Sequence, residues 1–552
     1  MTAVEQPGIG RRWPVIIVGA GPTGLTAAAL LADLGVEVLI LERWSDVYPQ
    51  PRAVHLDDEV YRILDRIGVG AEFAQVSRPG LGLRLLDPRH RVLAAFSRTT
   101  SAGRHGHPAA SMFDQPQLEA VLRGAVARRE KVTLLSDVDV THVVHERDCV
   151  RVSMTDRTTG VLWVERAAFV LGADGANSVV RSCMGSRWEE LGFTQRWMVV
   201  DIDTDAELNQ WEGVHQVCDS RRAATYMRVG ERRYRWEFQL LDDETSADFA
   251  TLTALDPQIR PWLGDTELEQ LHLIRAAEYT FRACVADRWR DRRMFTLGDA
   301  AHLTPPFIGQ GMGSGVRDAA NLAWKIAAVL RGDLSSECLD SYESERKPHA
   351  TALIKLAVSM GVVMTRGGVA GDRLRSVAAP AVAKLPGFAT MVTDSATPPL
   401  TPSTFVRPGP IGAQLPTGLR AKLAGTAQLA GTLCPNLEVG PTDDGSGRLD
   451  QVTPPGFLVI TADEPSDAQA HEIRRRGAHL LVVAPDSELR QWLAEAGAGA
   501  AVVRPDRTVM LAGRSVAAVF THVPAMTEPT LADTADVAAV LADFLPRVTA
   551  ES

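Results

Sequence analysis

"WPVIIVGAGPTGLTAAALLADLGVEVLILERW", residues 13–44, reads as strand, tight turn, helix and strand. The run at 15–18 is continuously apolar and β-branched, as a parallel strand buried on both faces requires. Helical spacing follows over 23–34, Gly35 ends it, and 36–41 forms the second strand. This is a βαβ unit, and its crossover is expected to be right-handed. The turn carries Gly19, Gly21 and Gly24 in a GxGxxG pattern. The first glycine permits the tight turn, the second lets a pyrophosphate approach the backbone, and the third packs helix against strand. The free N–H groups of the helix start then meet the phosphate charge. Glu42 stands eighteen residues after Gly24, at the end of the second strand, where a carboxylate can accept both ribose hydroxyls of an adenosine. A dinucleotide site is predicted, without specifying which dinucleotide.

A second segment bears on that choice: "GDAAHLTPPFIGQGMGSGVRDAANLAWK", residues 298–325. A buried strand at 295–297 leads into Gly298-Asp299, a carboxylate suited to hydroxyls on a ligand's linker. Gly309, Gly311, Gly313 and Gly315 then open a helix whose unpaired N–H groups can bind an electron-rich oxygen or a phosphate. Glycine at these positions costs backbone entropy and packs nothing, so a ligand approaching the backbone is expected. Two bare helix starts far apart in sequence fit one extended ligand. FAD has that length, with adenine at the first site and the isoalloxazine at the second.

The rest of the chain divides around these two segments. Residues 1–190 are expected to form the first part of the FAD-binding domain, with segments at about 80–110 joining a second unit. Residues 191–285 alternate as a half-exposed antiparallel sheet does, and would form the substrate domain. Residues 286–395 return to the FAD-binding domain, with an amphipathic helix in "AANLAWKIAAVL" and helical patterns to about 365. A Pro/Thr/Gly-rich linker begins near 395, and 396–552 read as a compact α/β module with a closing helix. With 552 residues, several cores are expected.

Composition excludes other classes. Hydrophobic residues at 45% and charged residues at 23% mark a soluble globular chain, and a net charge of -10 argues against nucleic-acid binding. The apolar run at 15–21 is too short to cross a bilayer, so no membrane partner is expected. Six scattered cysteines without CxxC indicate a reduced, cytoplasmic protein with no metal site.

"GAGPTG" with "LER", "GADGANSVVR" and residues 298–325 together resemble the FAD-dependent aromatic hydroxylases, the class A flavoprotein monooxygenases of the para-hydroxybenzoate hydroxylase fold. Within them, "MFDQPQLEAVL", "CDSRRAATY", "RRYRWEFQLL" and "VVRPDRTV" are most similar to 3-(3-hydroxyphenyl)propionate hydroxylases. The resemblance implies an α/β fold: a Rossmann-like FAD-binding domain, an inserted antiparallel-sheet substrate domain, and a C-terminal thioredoxin-like α/β domain for packing or homodimerisation. It implies NADH or NADPH as co-substrate, with O2-dependent hydroxylation of a phenolic compound through a flavin C4a-hydroperoxide. A phenylpropanoid acid is the expected substrate. The alternatives are a larger aromatic polyketide or antibiotic, and a flavin-binding protein without turnover.

Residue by residue, the resemblance assigns Gly19, Gly21 and Gly24 to the pyrophosphate and Glu42 to the adenosine ribose. Arg43 and Arg52 would lie along the adenine and phosphate half, and Gln115 and Asp174 would also contact the cofactor. Asp299 would bond the ribityl or pyrophosphate region, and Gly311, Met312 and Gly313 the pyrimidine edge. The Pro305-Pro306 backbone would face the oxygen-reacting side, while His302 would be structural. For the substrate, Arg221 or Arg222 is a candidate grip on a carboxylate, because a guanidinium binds it bidentately. His215 and Tyr226 are candidates for deprotonating a phenol, and Trp236 for lining the pocket.

Overall fold

A computed structural model of the chain describes residues 12–49, 53–365, 397–408, 429–439 and 447–526, with Gly368, Gly371 and Arg375 besides. Arg52 and the expected closing helix lie outside the described residues. Strand β1 (Arg12–Val18) lies between β2 (Val38–Leu41) and β3 (Leu162–Gly172) and is parallel to both, with Ile16 opposite Leu39 and Val170. Helix α1 (Pro22–Asp33) joins β1 to β2. The parallel strands Val132–Leu135 and Met294–Thr296 extend this sheet on either side. Val15 and Ile17 pack into the main core with Leu25 and Ala28 of α1, while Ile16 and Val18 pack with Val150 and Val152 on the other face. Burial on both faces explains why β1 is an unbroken apolar run.

A second eight-stranded sheet contains β4 (Trp188–Asp203), β5 (Val214–Val217), β6 (Ala224–Arg228), β7 (Arg233–Gln239) and β8 (His272–Ala286) in the order β8-β4-β7-β6-β5. Gly82–Leu86 and Val92–Ser97 continue it beyond β5. Trp188–Asp203 starts before residue 191, so it crosses the expected boundary. One face of the sheet is aromatic: Tyr226, Tyr234, Trp236 and Phe238 pack with Leu255, Ile259 and Trp262 of α2 (Leu252–Leu263).

Helix α3 (Gly311–Leu330) departs from the expected amphipathic pattern, since every residue from Gly313 to Leu330 is buried. Its charged side chains are satisfied inside the protein rather than by water. Asp318 takes Arg346 at 2.8 Å, and Lys325 donates to Glu345 at 2.9 Å. The stretch Ser336–Thr365 contains α4 (Asp340–Thr365) and is apolar and long enough to cross a membrane, but it packs against α3 and the turn at Pro306–Ile308.

The C-terminal module has the order strand, helix, strand, helix, strand, strand. Leu458–Thr461 is parallel to His479–Val482 and antiparallel to Ala500–Val503, which pairs with Val509–Gly513. Charged side chains tie the module to the first unit. Asp450 accepts from Arg62 at 2.5 Å, and Arg504 meets Glu345 at 3.0 Å. The "VVRPDRTV" motif is therefore a docking element.

Candidate functional site

One cleft of about 1220 Å³ runs from the β1–α1 turn to the polar face of the second sheet. Ordinary ligand pockets hold ~300–1,000 Å³, so this one has room for a dinucleotide with a ring beside it.

The three glycines of the first turn are required for different reasons. Gly19 has φ +102°, and a Cβ there would lie 2.4 Å from Ala173 O. A Cβ at Gly24 would lie 2.1 Å from Gly19 O. Both positions are closed by the protein itself. Gly21 differs: nothing lies within 4 Å of its Cβ position. It is the N-cap of α1, and no side chain caps the helix. The space above these bare N–H groups is where an anion fits.

Glu42 ends β2 with only 8% exposure, and it lines the cleft. Its Oε2 accepts from Ala20 N at 2.6 Å and its Oε1 from Trp44 N at 2.9 Å, which fixes the carboxylate and leaves lone pairs for hydroxyls. Arg43 lines the cleft and meets Asp139 at 3.5 Å. Gln115 accepts from Ala53 N at 2.6 Å and donates to Glu119 at 2.6 Å. Asp174 holds Val179 N at 2.7 Å through Oδ2, while its buried Oδ1 has no partner among the described residues. Burial raises the Asp174 carboxyl above its ordinary range. An orphaned buried oxygen facing a cleft fits a ligand hydroxyl. Asp299 stands exposed on the cleft wall, just beyond the strand Met294–Thr296 that pairs with β3.

The second helix start is held by a buried network that sequence reasoning missed. Asp318 accepts from Gly298 N at 3.0 Å and His302 Nε2 at 2.8 Å while pairing with Arg346. His302 is thus structural. Gly298 and Gly315 press on each other and on Thr23: a Cβ at Gly315 would lie 2.2 Å from Thr23 Oγ1. Gly313 is likewise closed, by Val60 and Arg317 at 3.1 Å, and does not line the cleft. Gly311 and Met312 do line it, and Gly311 has only Thr304 nearby, at 3.9 Å. Most of the glycine row therefore admits neighbouring backbone and side chains, and only its start borders the ligand space. Pro306 lines the cleft, whereas Pro305 is buried behind it.

The substrate candidates require correction. Tyr226 and Trp236 are each 1% exposed on the aromatic face, away from the cleft. His215 sits with them, accepting from Trp262 Nε1 at 3.2 Å and meeting Trp211 O at 2.9 Å. Burial lowers His215 to about 4 and pushes the Tyr226 phenol up. Arg222 is held by Glu244, and Arg221 is 77% exposed beside Asp219; neither lines the cleft. The aromatic alternation was legible, but α2 covers that face, so the other face looks into the cleft.

Two cross-strand rows form this face. Gln216, Thr225, Glu237, Val199 and Ala277 are register partners across β5, β6, β7, β4 and β8. In the next row Met227 faces Arg235, and Arg235 and Arg275 both flank Asp201. Asp201 is fully buried and accepts from Arg235 Nε at 2.8 Å and Arg275 Nε at 3.0 Å. Gln216 donates to Phe307 O at 3.0 Å, linking the sheet to the turn after Pro306. His55 joins the cleft wall between Gly309 O at 3.3 Å and Arg98 at 3.4 Å, and burial lowers it to about 4.

Residues 12–357 match the family model described as FAD binding domain. The chain belongs to that family. This flavoprotein is an FAD-dependent aromatic monooxygenase with NADH or NADPH as co-substrate. A probable NADH-specific resorcinol 4-hydroxylase of Rhodococcus jostii is 36% identical over 66% of this chain and 68% of its own length. A 3-(3-hydroxy-phenyl)propionate/3-hydroxycinnamic acid hydroxylase of Burkholderia cenocepacia is 30% identical over 90% of this chain and 93% of its own. The flavin-dependent monooxygenase PieE, solved with FAD and substrate, superposes with a TM-score of 0.77 at 21% identity, covering 97% of this chain and 100% of its own. That last likeness concerns the fold alone. Family and relatives set aside the alternative of a flavin-binding protein without turnover.

Proposed function

We propose that the flavoprotein hydroxylates a small single-ring phenol held between the second helix start and the polar face of the second sheet. The observation carrying this reading is the continuity of the cleft, which joins the dinucleotide turn to the row Gln216, Thr225 and Glu237. When bound, FAD supplies hydride acceptance from the reduced nicotinamide and the activation of O2. The chain does the rest. The α1 start at Gly21 takes the pyrophosphate, Glu42 the ribose hydroxyls, and Arg43 and Gln115 flank that half. Asp174 and Asp299, just beyond the ends of adjacent parallel strands, hold linker hydroxyls, and the N–H groups at Gly311 and Met312 take the pyrimidine edge. Pro306 and Phe307 shield the reacting face from water.

On this reading the second sheet, with the strands at 82–97, is the substrate-binding domain. The C-terminal strand order supports a thioredoxin-like packing unit. A ring hydroxyl is the feature shared by resorcinol and 3-(3-hydroxyphenyl)propionate, after which the two relatives are named. Arg98, on the cleft wall beside His55, favours a carboxylated substrate as the second reading, a role Arg221 and Arg222 do not reach. The test is NADH and NADPH oxidation by the purified holoenzyme with each compound, together with product analysis. Stimulation with a product one oxygen richer supports the proposal; stimulation by neither compound overturns it.

A further inference from the structure

Most titratable groups on the second sheet and beside the cleft are already committed. Asp201 carries two guanidinium groups and does not line the cleft. Tyr279 OH accepts from Arg275 Nη1 at 2.8 Å. His55 uses both ring nitrogens, and His215 and Tyr226 lie on the far face. Glu237 differs from all of these. It lines the cleft at 6% exposure, between Thr225 and Val199 in the cross-strand row. Its one charged contact among the described residues is Arg235 Nη1 at 3.7 Å, beyond hydrogen-bond reach. A buried carboxylate with spare acceptor capacity, facing a cavity flanked by Val199 and Ala277, is placed for one purpose.

We propose that Glu237 takes the proton from the ring hydroxyl of the phenolic substrate. This inference rests on the proposed function above and names the acid–base group of that site. The substrate O–H bond breaks, an O–H bond forms on a Glu237 oxygen, and the electron pair stays on the ring oxygen. The resulting phenolate donates density to the ring carbons ortho and para to it, where hydroxylation occurs. Glu237 keeps the proton until the product's ring oxygen becomes basic again and takes it back, so no proton is gained or lost. Total charge near Arg235 and Arg275 is unchanged by the transfer, so their ion pairs with Asp201 need not rearrange. The charged groups facing Glu237 are Arg235 on its own strand, Asp201 on β4 and Arg275 on β8, while β6 offers the neutral Thr225. Burial raises the Glu237 carboxyl above the usual carboxylate range and Asp201 adds to this, against the pull of Arg235 and Arg275. A base raised toward neutrality is better matched to a phenol.

The test is the pH dependence of kcat for coupled hydroxylation by the holoenzyme, with resorcinol and a ring-fluorinated resorcinol of lower phenol pKa. Wild-type activity is expected to fall at acid pH with an apparent pKa that is the same for both substrates, because the enzyme titrates. In Glu237→Gln the limb should move up toward the phenol's own value, ~10 for an unsubstituted ring, and should then track the substrate. At pH 7 the loss in kcat should be ~10²–10⁴-fold, the usual worth of a positioned base. A wild-type limb that already tracks the substrate overturns the proposal without any variant. So does a Glu237→Gln enzyme that binds flavin and keeps the wild-type limb, with activity lowered evenly at all pH. Failure of both compounds to stimulate the wild type counts instead against the proposed function.

Discussion

Gly21 and Gly24 sit three residues apart in one turn, yet a methyl group added at each meets different surroundings. At Gly24 it would lie 2.1 Å from the Gly19 carbonyl oxygen, a backbone atom, so the turn and α1 must part by more than an ångström. Overpacking of this kind costs about 1–3 kcal/mol, offset by the ~0.5–1 kcal/mol that alanine gains over glycine within a helix. Gly24→Ala should therefore lower the melting temperature of the apoprotein. At Gly21 the same methyl meets no atom within 4 Å, and φ -73° with ψ 178° suits alanine. Restricting the unfolded chain stabilises by ~0.4–1 kcal/mol, and alanine's poorer capping offsets most of that. Gly21→Ala should melt like the wild type.

The methyl then stands where the pyrophosphate approaches. Overpacking of ~1–3 kcal/mol translates into roughly 5- to 150-fold weaker FAD binding. The assay pairs thermal melting of each apoprotein with FAD titration followed by flavin fluorescence. Wild-type FAD affinity in Gly21→Ala would refute the assignment of the cofactor to this turn. An apoprotein melting loss in Gly21→Ala equal to that of Gly24→Ala would refute the distinction between open and closed glycines.

Three further outcomes follow from the geometry. Asp318→Ala leaves Arg346 without its buried carboxylate and should cost about 3–5 kcal/mol, read by urea denaturation. Because Gly298 N–H is freed as well, FAD should also bind more weakly. Arg504 and Lys325 hold the Glu345 carboxyl down at about 2 against burial, so its stabilising contribution is complete above the unfolded value near 4.3. As pH falls from there toward about 2 that contribution is lost, and the C-terminal module should become sensitive to limited proteolysis. Tyr226→Phe and Arg221→Ala touch nothing in the cleft, so kcat and KM should each stay within about twofold; a KM rise on losing Arg221 would restore it as a carboxylate grip.

The sequence determined whatever depends on local periodicity and on backbone that must approach backbone. The unbroken apolar run of β1, the glycines of its turn, Glu42 at the end of β2 and the Gly298-Asp299 turn are short-range features, and their spacing carried the cofactor reading. The same reasoning established that Tyr234, Trp236 and Phe238 alternate with polar neighbours along their strand. It could not say which face met the cleft, because alternation of period two is symmetric between faces. Only the packing of α2 against the aromatic side turned Arg235 and Glu237 inward and left His215 and Tyr226 in the core. The polar positions of α3 likewise read as a solvated face until Asp318 and Lys325 found their partners on α4, more than ten residues away in sequence. A charge looks the same in sequence whether water or a distant side chain will satisfy it, and tertiary structure makes that choice.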